Sequence, residues 1–477
     1  MYPPAHFQPR PEYALLPFRF ARLRNTEYLL TNLVGEYAIV HRDHLDALVH
    51  KRLATDSPTY TELKAKHFLI DDTSSVALDL LAAKYRTKLA GLAQFVQLHI
   101  FVTTLRCNNQ CTYCQVSSQS PDRERYDMTP TVADAAIQFM CRCPAGVLKV
   151  EFQGGEPLLN FPLIEYAVKR TKELNTGGRR IEFVVCTNLT LLTDPMMEFF
   201  EAHDILISTS LDGPEDLHNK NRPGPHGNTY QAMTRNVRRL QERIGPHRVA
   251  ALMTTTRETL DQPERVIDEY VRRGFRSIFL RSINPYGRAT NNNQAEYPTA
   301  KWNEFYRRAL AYIIALNQQG VAFREEYSSM ILRKILTPYG TGFVDLQNPT
   351  GTGTGVLVYD YNGNVYPSDE ARMLAAMGDE EFLLGNLLRD TLEAIITSDK
   401  LVGLVRDTML EGVPQCAECA FLPYCGADPV KHYRTQGDTV GHKPTSGFCQ
   451  KNTFIFRHLI DLLENDQAAR RVLTSWV

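Results

Sequence analysis

Three cysteines in one short segment have the residue type and spacing of metal ligands. Cys107, Cys111 and Cys114 are separated by three and then two residues, and the next cysteine is Cys141. A four-iron cluster takes four thiolate ligands, so a local group of three leaves one metal position open for chemistry. A structural zinc site needs a fourth ligand, and the first histidine after the group is His203. A zinc site completed from elsewhere and three unrelated buried thiols are the alternatives.

Composition argues against several classes of partner. The 477 residues include 53 Lys+Arg and 54 Asp+Glu, a net charge of -1, which disfavours a nucleic acid or membrane surface recognised mainly by charge. No stretch approaches the roughly 18 to 20 apolar residues that cross a bilayer, and residues 1–6 contain neither a basic leader nor an apolar run. Ten cysteines, most of them in two groups, indicate metal ligands in a reducing compartment. We expect a soluble, cytoplasmic protein that binds neither nucleic acid nor membrane.

The elements that position these cysteines follow from the apolar pattern. From residue 96 to 340, six apolar, β-rich runs alternate with helical segments, which predicts a parallel sheet in an α/β fold. The predicted strands are 98–104, 148–152, 181–186, 205–211, 249–254 and 277–281, and the helices are 131–140, 163–173, 195–202, 229–242 and 262–273. Six units are two short of a full (β/α)8 barrel, and active sites in such folds lie at the carboxyl ends of the strands. The first cysteine group directly follows the first strand.

Two further parts flank this partial (β/α)6, TIM-like barrel. Residues 1–95 predict a small, winged-helix-like α+β module, which is either a packing extension or a docking surface for a peptide that adds to a strand edge. Its predicted elements are strands at 27–33 and 36–40, a helix at 43–51 capped by Asp43, and a helix at 75–95. Residues 341–477 predict a hairpin around Asn362-Gly363, helices over 391–410 and 454–463, and a second cysteine group.

The first cysteine group, with Tyr113 just before its last member, resembles the cluster-binding loop of the radical S-adenosylmethionine (radical SAM) superfamily. The resemblance implies that Cys107, Cys111 and Cys114 hold a [4Fe-4S] cluster, and that S-adenosyl-L-methionine chelates the fourth iron. It also implies reductive cleavage of that cofactor to a 5′-deoxyadenosyl radical, which abstracts hydrogen. Tyr113 is a cofactor-binding candidate on the same basis.

The ends of later strands carry further resemblances. Gly154-Gly155-Glu156-Pro157 is similar to the GGEP loop of the superfamily, in which glycines let the backbone approach a small ligand closely. The resemblance implies that Gly154, Gly155 and Glu156 contact the methionyl amino group. Asn188 and Ser210 resemble residues that line the nucleoside. Residues 208–214, with the following His218 and Arg222, are similar to a segment of the peptide-modifying branch, although a turn or a satisfied polar end is an alternative for each.

The second cysteine group resembles the second auxiliary [4Fe-4S] site of the SPASM extension, found in radical enzymes that mature peptides and proteins. Its members are Cys416, Cys419, Cys425 and Cys449. Four thiolates leave no iron open, so the resemblance implies electron transfer or structural support. The spacing also permits a structural zinc site.

The chain departs from the SPASM pattern at the first auxiliary cluster. Ser368 and Pro429 stand where that pattern has cysteines, and 348–353 contains none. We therefore predict one auxiliary cluster, and two clusters in total. Asp369 matches an aspartate implicated as an acid or base in sulfatase-maturing relatives and is the candidate general base; a solvated turn residue is the alternative. The remaining thiols, Cys141, Cys143 and Cys186, are interpreted as packing residues.

Over nearly its whole length, the chain resembles the His-Xaa-Ser-system radical SAM maturases of the B type, through residues 30–37, 149–156, 205–214 and 424–430. This implies modification of a peptide or small protein with His-Xaa-Ser repeats, a low-potential donor of the flavodoxin or ferredoxin type, and a second radical SAM maturase as partner. The alternatives are formylglycine formation as in anaerobic sulfatase maturation, maturation of another peptide, an iron-sulfur electron carrier, and a non-catalytic peptide-binding scaffold.

Overall fold

The computed structural model describes residues 13–72, 76–119, 122–225, 227–290 and 297–477. The expectation for residues 1–6 lies outside these ranges. None of the described helices combines the length and the apolar character needed to cross a membrane.

The N-terminal module is built on a three-stranded antiparallel sheet in the order β2-β3-β4. Its elements are β1 (Ala14–Leu15), β2 (Phe18–Arg22), β3 (Glu27–Asn32), β4 (Tyr37–His41), α1 (Arg42–Val49), α2 (Pro58–Ala65), β5 (Leu69–Ile70) and α3 (Val76–Leu89). The two predicted strands are confirmed as β3 and β4. The predicted cap of α1 is wrong: the His41 ring accepts the Asp43 N–H, and Asp43 lies in the first turn. The predicted last helix ends at Leu89 and continues as a 3₁₀ turn, and Ser75 lies outside the described residues.

Five parallel strands in chain order form the barrel wall, and the helices between them cover its outer face. The strands are β6 (Leu98–Thr104), β7 (Val147–Gly154), β8 (Arg180–Cys186), β9 (Leu206–Ser210) and β10 (Val249–Leu252). The helices are α4 (Arg123–Tyr126), α5 (Pro130–Cys141), α6 (Phe161–Leu174), α7 (Asp194–Ala202), α8 (Glu215–Asn221), α9 (Thr229–Ile244) and α10 (Pro263–Arg272).

The alternation along β7 shows how this sheet separates core from cavity. Leu148, Val150 and Phe152 are buried and join the large apolar core that includes helices α5 and α6. Lys149 and Glu151 stand between them in the sequence and are only partly buried. Because successive side chains of a strand point to opposite faces, β7 contributes Lys149 and Glu151 to the interior of the barrel.

The sixth predicted strand is much shorter than expected. β11 covers only Ser277–Ile278 and pairs with β12 (Arg324–Glu325), not with β10, within the described residues. Just after β11, the Leu280 N–H donates to the buried Glu325 carboxylate at 3.2 Å instead of to a neighbouring strand. The chain nevertheless stays at the sixth barrel position, because the Thr255 N–H donates to the Arg281 carbonyl at 3.0 Å.

The predicted hairpin extends the barrel sheet. β13 (Val356–Tyr359) pairs in parallel with β6, and β14 (Asn364–Tyr366) and β15 (Gly385–Asn386) follow in antiparallel. Gly363 closes the turn with a φ of +87°, a left-handed conformation that favours glycine. The remaining helices are α11 (Thr299–Gln318), α12 (Glu326–Leu336), α13 (Asp369–Ala375), α14 (Leu392–Ile396), α15 (Asp399–Asp407), α16 (Pro429–Gln436), α17 (Gly447–Asn465) and α18 (Gln467–Thr474).

Two helical predictions in this last part need adjustment. The predicted helix over 391–410 is divided into α14 and α15, because the Ser398 side chain caps a new helix by accepting the Leu401 N–H at 3.3 Å. The last predicted helix begins earlier than expected, since Ser446 caps α17 in the same way.

Candidate functional site

The first cysteine group lies in the loop that follows β6, at the carboxyl edge of the sheet. Backbone hydrogen bonds fix this loop to the end of α8: Gln110 N–H donates to the Pro223 carbonyl at 2.8 Å, and Thr112 N–H to the Asn221 carbonyl at 2.9 Å. The three predicted iron ligands are therefore held on a rigid edge.

The thiols of this group are close to one another and to a buried carboxyl. Burial first, and then the Glu156 carboxylate, raise the pKa of Cys107 to about 12, with smaller increases from Cys111 and Cys114. Burial likewise raises the pKa of Cys111 to about 11. Without a metal these two thiols are protonated at neutral pH, so cluster binding releases protons.

A buried ion pair supports the group from behind. Asp212 Oδ2 accepts hydrogen bonds from the Tyr113 hydroxyl at 2.6 Å and from Arg222 Nε at 3.0 Å. The Arg222 guanidinium lies 5.3 Å from the centre of the Tyr113 ring. His218 packs against this ion pair, here called the brace, and the Asp212 N–H donates to its ring Nδ1 at 3.5 Å. The structure thus assigns a supporting role to Tyr113; its contact with a cofactor stays a prediction.

Two glycines bring the second strand end against the cysteine loop. A Cβ atom on Gly154 would lie 2.1 Å from the Thr104 carbonyl oxygen, and one on Gly155 would lie 2.1 Å from the Arg106 carbonyl oxygen. The Gly155 N–H donates to Thr104 and the Glu156 N–H donates to Arg106, both at 2.8 Å. No larger residue fits here, so the glycines position the cysteine loop. Their contact with the methionyl amino group of the cofactor stays a prediction.

Glu156 ties the second strand end to the third. It is buried, and its carboxylate accepts hydrogen bonds from Thr187 Oγ1 at 2.6 Å, the Asn188 N–H at 2.8 Å and the Leu158 N–H at 3.0 Å. Burial raises the pKa of Glu156 to about 7, although these donors oppose the rise.

The two candidates for the nucleoside lie at the same sheet edge. Asn188 Nδ2 donates to Asn108 Oδ1 at 2.8 Å, so this residue contacts the cysteine loop directly. Ser210 ends β9 opposite Leu252 and is half-buried. The fold brings these predicted residues together, whereas their roles toward a cofactor stay predictions.

The second cysteine group is assembled from two segments. Cys416, Cys419 and Cys425 lie in the loop after α15, and Cys449 lies in the first turn of α17. Burial is the main cause that raises the pKa of Cys416 to about 11 and that of Cys425 to about 12, and the neighbouring thiols raise both further. The four predicted ligands therefore converge.

Among the described residues, no three His, Cys, Asp or Glu side chains are arranged to coordinate one metal ion. The metal held by each cysteine group stays a prediction.

The N-terminal module packs on this second group. Arg19 Nε donates to the Ala417 carbonyl at 2.6 Å, and Thr31 Oγ1 donates to the Ala420 carbonyl at 2.7 Å. From the opposite side, the Tyr424 hydroxyl donates to the Gly35 carbonyl at 2.7 Å. The packing interpretation of the module therefore has direct support, and peptide docking stays a prediction.

Hydrogen bonds join the segments from which the first auxiliary cluster is predicted to be absent. The Gly353 N–H donates to the Pro367 carbonyl at 2.7 Å, and Thr350 Oγ1 donates to the Ala427 carbonyl at 3.0 Å. Ser368 caps α13 by accepting the Ala371 N–H at 3.2 Å. Protein contacts thus occupy the region in which cysteines are absent from the sequence.

A cavity of about 280 Å³, here called the chamber, lies inside the barrel. The predicted base Asp369 lines it, and Asp369 Oδ1 accepts a hydrogen bond from the buried Arg372 Nε at 3.3 Å. Glu370 also lines it, 3.6 Å from Arg281. Burial, and then the Asp345 carboxylate, raise the pKa of Glu370 to about 7.

Sequence reasoning missed most of this chamber. Asp345, Asp428 and Arg281 line it together with Glu370. They come from separate segments and form no spaced motif, so the sequence contained no local signal for them.

Comparisons with known proteins agree with this geometry. The family model described as the Radical SAM superfamily matches residues 101–280. A cysteine-type anaerobic sulfatase-maturating enzyme from Clostridium perfringens (strain 13 / Type A) is 24% identical over 329 residues, covering 67% of this chain and 84% of the relative.

Two solved structures share the fold. That of native anSMEcpe with bound AdoMet has a TM-score of 0.64 and 21% identity, and the match covers 77% of this chain and 99% of that one. That of Streptococcus suis SuiB bound to precursor peptide SuiA has a TM-score of 0.54 and 13% identity, and the match covers 92% and 100%.

Residues 101–280 thus form a domain that matches the Radical SAM superfamily. Outside this region the chain shares its fold with the two solved structures, native anSMEcpe and SuiB. The predicted fold class, a partial (β/α)6 barrel with a C-terminal auxiliary part, is confirmed.

Proposed function

We propose that this protein cleaves S-adenosylmethionine reductively and modifies a peptide or small protein, one with His-Xaa-Ser repeats. The observation that carries the proposal is the meeting of three thiols, the glycine edge and a chamber lined by carboxyls within one barrel. With Cys107, Cys111 and Cys114 as its ligands, the cluster and its cofactor would supply a carbon-centred radical that removes a hydrogen atom from the substrate.

The chain's own residues position this chemistry. Gly154 and Gly155 let the second strand end press on the cysteine loop, and the Asp212–Arg222 pair holds that loop from behind. Asp369 lines the chamber, and its hydrogen bond with Arg372 holds its carboxylate in place. In this position it accepts a proton from the substrate. Cys416, Cys419, Cys425 and Cys449 hold the auxiliary cluster.

Two further partners belong to the same proposal. A low-potential flavodoxin or ferredoxin supplies the electron for cleavage, and a second radical SAM maturase acts on the same substrate. We place the reaction in the cytoplasm, because a chain with seven of its ten cysteines in predicted metal-binding groups needs a reducing compartment.

The second candidate is formylglycine formation on a sulfatase. It is favoured by the relative from Clostridium perfringens, a cysteine-type anaerobic sulfatase-maturating enzyme, and by Asp369 in the Tyr366-Pro367-Ser368-Asp369 segment.

Co-expression with a small protein bearing His-Xaa-Ser repeats tests the choice. Mass spectrometry should reveal a mass change localised to those repeats, which disappears in the Asp369→Asn variant. An unmodified repeat protein, together with turnover on a sulfatase-derived peptide, would reject the first candidate.

A further inference from the structure

The chamber contains three carboxyls that lie close to one another in the fold but far apart in the sequence. Asp345 precedes β13, Glu370 is the second residue of α13, and Asp428 caps α16; all three line the chamber. Burial, and then the Asp428 carboxylate, raise the pKa of Asp345 to about 6. Burial, and then the Asp345 carboxylate, raise the pKa of Glu370 to about 7. Like charges gathered in a buried space are costly unless a partner offsets them.

The cations of the chain offset these carboxyls incompletely. Within the described residues, the ion pair of Arg281 with Glu370 at 3.6 Å is the sole salt bridge that reaches the three. Lys431 Nζ donates to Asn284 Oδ1 at 3.1 Å, and Lys451 Nζ lies 5.4–5.8 Å from the centres of three aromatic rings. Glu151 and Asp369 also line the chamber, and Asp369 is paired with the buried Arg372. When all five carboxyls are ionised, they outnumber Arg281, Lys431, Lys451 and Arg372 by one.

The walls also present hydrogen-bond donors that the protein leaves unused. Trp302 is 2% exposed, and its indole Nε1–H has no partner among the described residues, although the side chain lines the chamber. The same holds for the buried Nε2 atom of Gln153 on the interior face of β7. A peptide carbonyl that displaces the groups covering these two donors would supply the missing acceptor.

We propose that the chamber is a subsite for a positively charged side chain of the substrate peptide, held by Asp345, Glu370 and Asp428, while Trp302 and Gln153 receive backbone carbonyls. This inference rests on the proposed function, since it names the residue class that the modifying enzyme takes. A lysine, an arginine or a protonated histidine has the required charge.

The test uses the anaerobically reconstituted full chain with S-adenosylmethionine and two acetylated tripeptide amides, Ala-Lys-Ala and Ala-Gln-Ala. At pH 8 calorimetry should show the lysine peptide binding about tenfold more tightly, the size expected for one well-placed charge pair. In the D345N/E370Q double variant the two peptides should bind about equally tightly. The exposed control pair E380Q/E381Q changes the net charge equally and should retain the preference.

Equal binding of the two peptides, no binding of either at millimolar concentration, or a preference that survives in the double variant would overturn the subsite. Thermal unfolding of each variant separates lost binding from lost fold. Formation of 5′-deoxyadenosine, measured in the same samples, distinguishes the two levels. Intact cleavage with no charge preference rejects the subsite alone, whereas absent cleavage in the unmodified chain rejects the proposed function.

Discussion

The two cysteine groups of this protein are built in contrasting ways. The first places three thiols within eight residues on the rigid edge of the barrel sheet, braced by a buried ion pair. The second gathers four thiols from a long loop and a helix, and relies on the N-terminal module to hold that loop. The first group is therefore held by the barrel sheet itself, whereas the position of the second group depends on packing between separate parts of the chain.

The largest expected effect separates the roles of the two groups. Replacing Cys419 with Ala removes one of four ligands from the closed site, so peptide modification should stop, while some uncoupled formation of 5′-deoxyadenosine remains. Chromatography of the nucleoside and mass spectrometry of the peptide measure the two outcomes. Full modification by this variant would contradict a functional auxiliary cluster.

Metal content sharpens the same comparison. The reconstituted chain should contain about eight irons, at about four per cluster, and the Cys419→Ala variant should lose up to half of them. Iron, sulfide and zinc analyses provide the readout. About four irons with one zinc, or about twelve irons, would contradict two clusters.

The brace behind the first group should matter for stability. Asp212→Ala leaves the buried Arg222 charge without its partner, a change that typically costs about 3–5 kcal/mol of unfolding free energy. Asp212→Asn, which keeps the shape, is the matched control and should cost less. Urea unfolding compares them, and equal stability of Asp212→Ala and the parent would show that the brace is dispensable.

The carboxyls of the chamber predict a pH dependence. Glu370 has its pKa raised to about 7, and it is faced by Asp345, Asp369 and Asp428 as well as by the Arg281 cation. It is therefore mostly neutral at pH 6 and ionised at pH 8, whereas the lysine of a peptide stays charged throughout. Binding of Ala-Lys-Ala should strengthen about tenfold from pH 6 to pH 8, and Glu370→Gln should flatten that rise. A slope of the opposite sign would exclude an ionised Glu370 as partner.

The smallest effect concerns the module that holds the closed group. Arg19→Ala removes the hydrogen bond to Ala417 and should cost about 0.5–1.5 kcal/mol. Thermal unfolding and the iron content of the variant report the loss. Arg24→Ala, at an exposed ion pair of the same module, is the control and should change less.

Local features of this protein were predictable and long-range ones were not. The cysteine spacing, the glycine edge and strand β6 depend on neighbouring residues, and the structure places them as expected. β2 (Phe18–Arg22) was not predicted, because its apolar residues alternate with arginines and none of its side chains is fully buried. The shortening of β11 depends on Glu325, nearly fifty residues away. The chamber carboxyls come together only in the folded barrel, so no local sequence pattern predicts that they are close to one another.

The central claim is that the loop from Cys107 to Cys114 holds the cluster that cleaves S-adenosylmethionine. The most direct measurement is 5′-deoxyadenosine formation by Cys111→Ala and the parent chain, under reducing, anaerobic conditions with dithionite. We expect steady product from the parent and only background from the variant. Product from the Cys111→Ala variant at the parent rate would contradict the assignment.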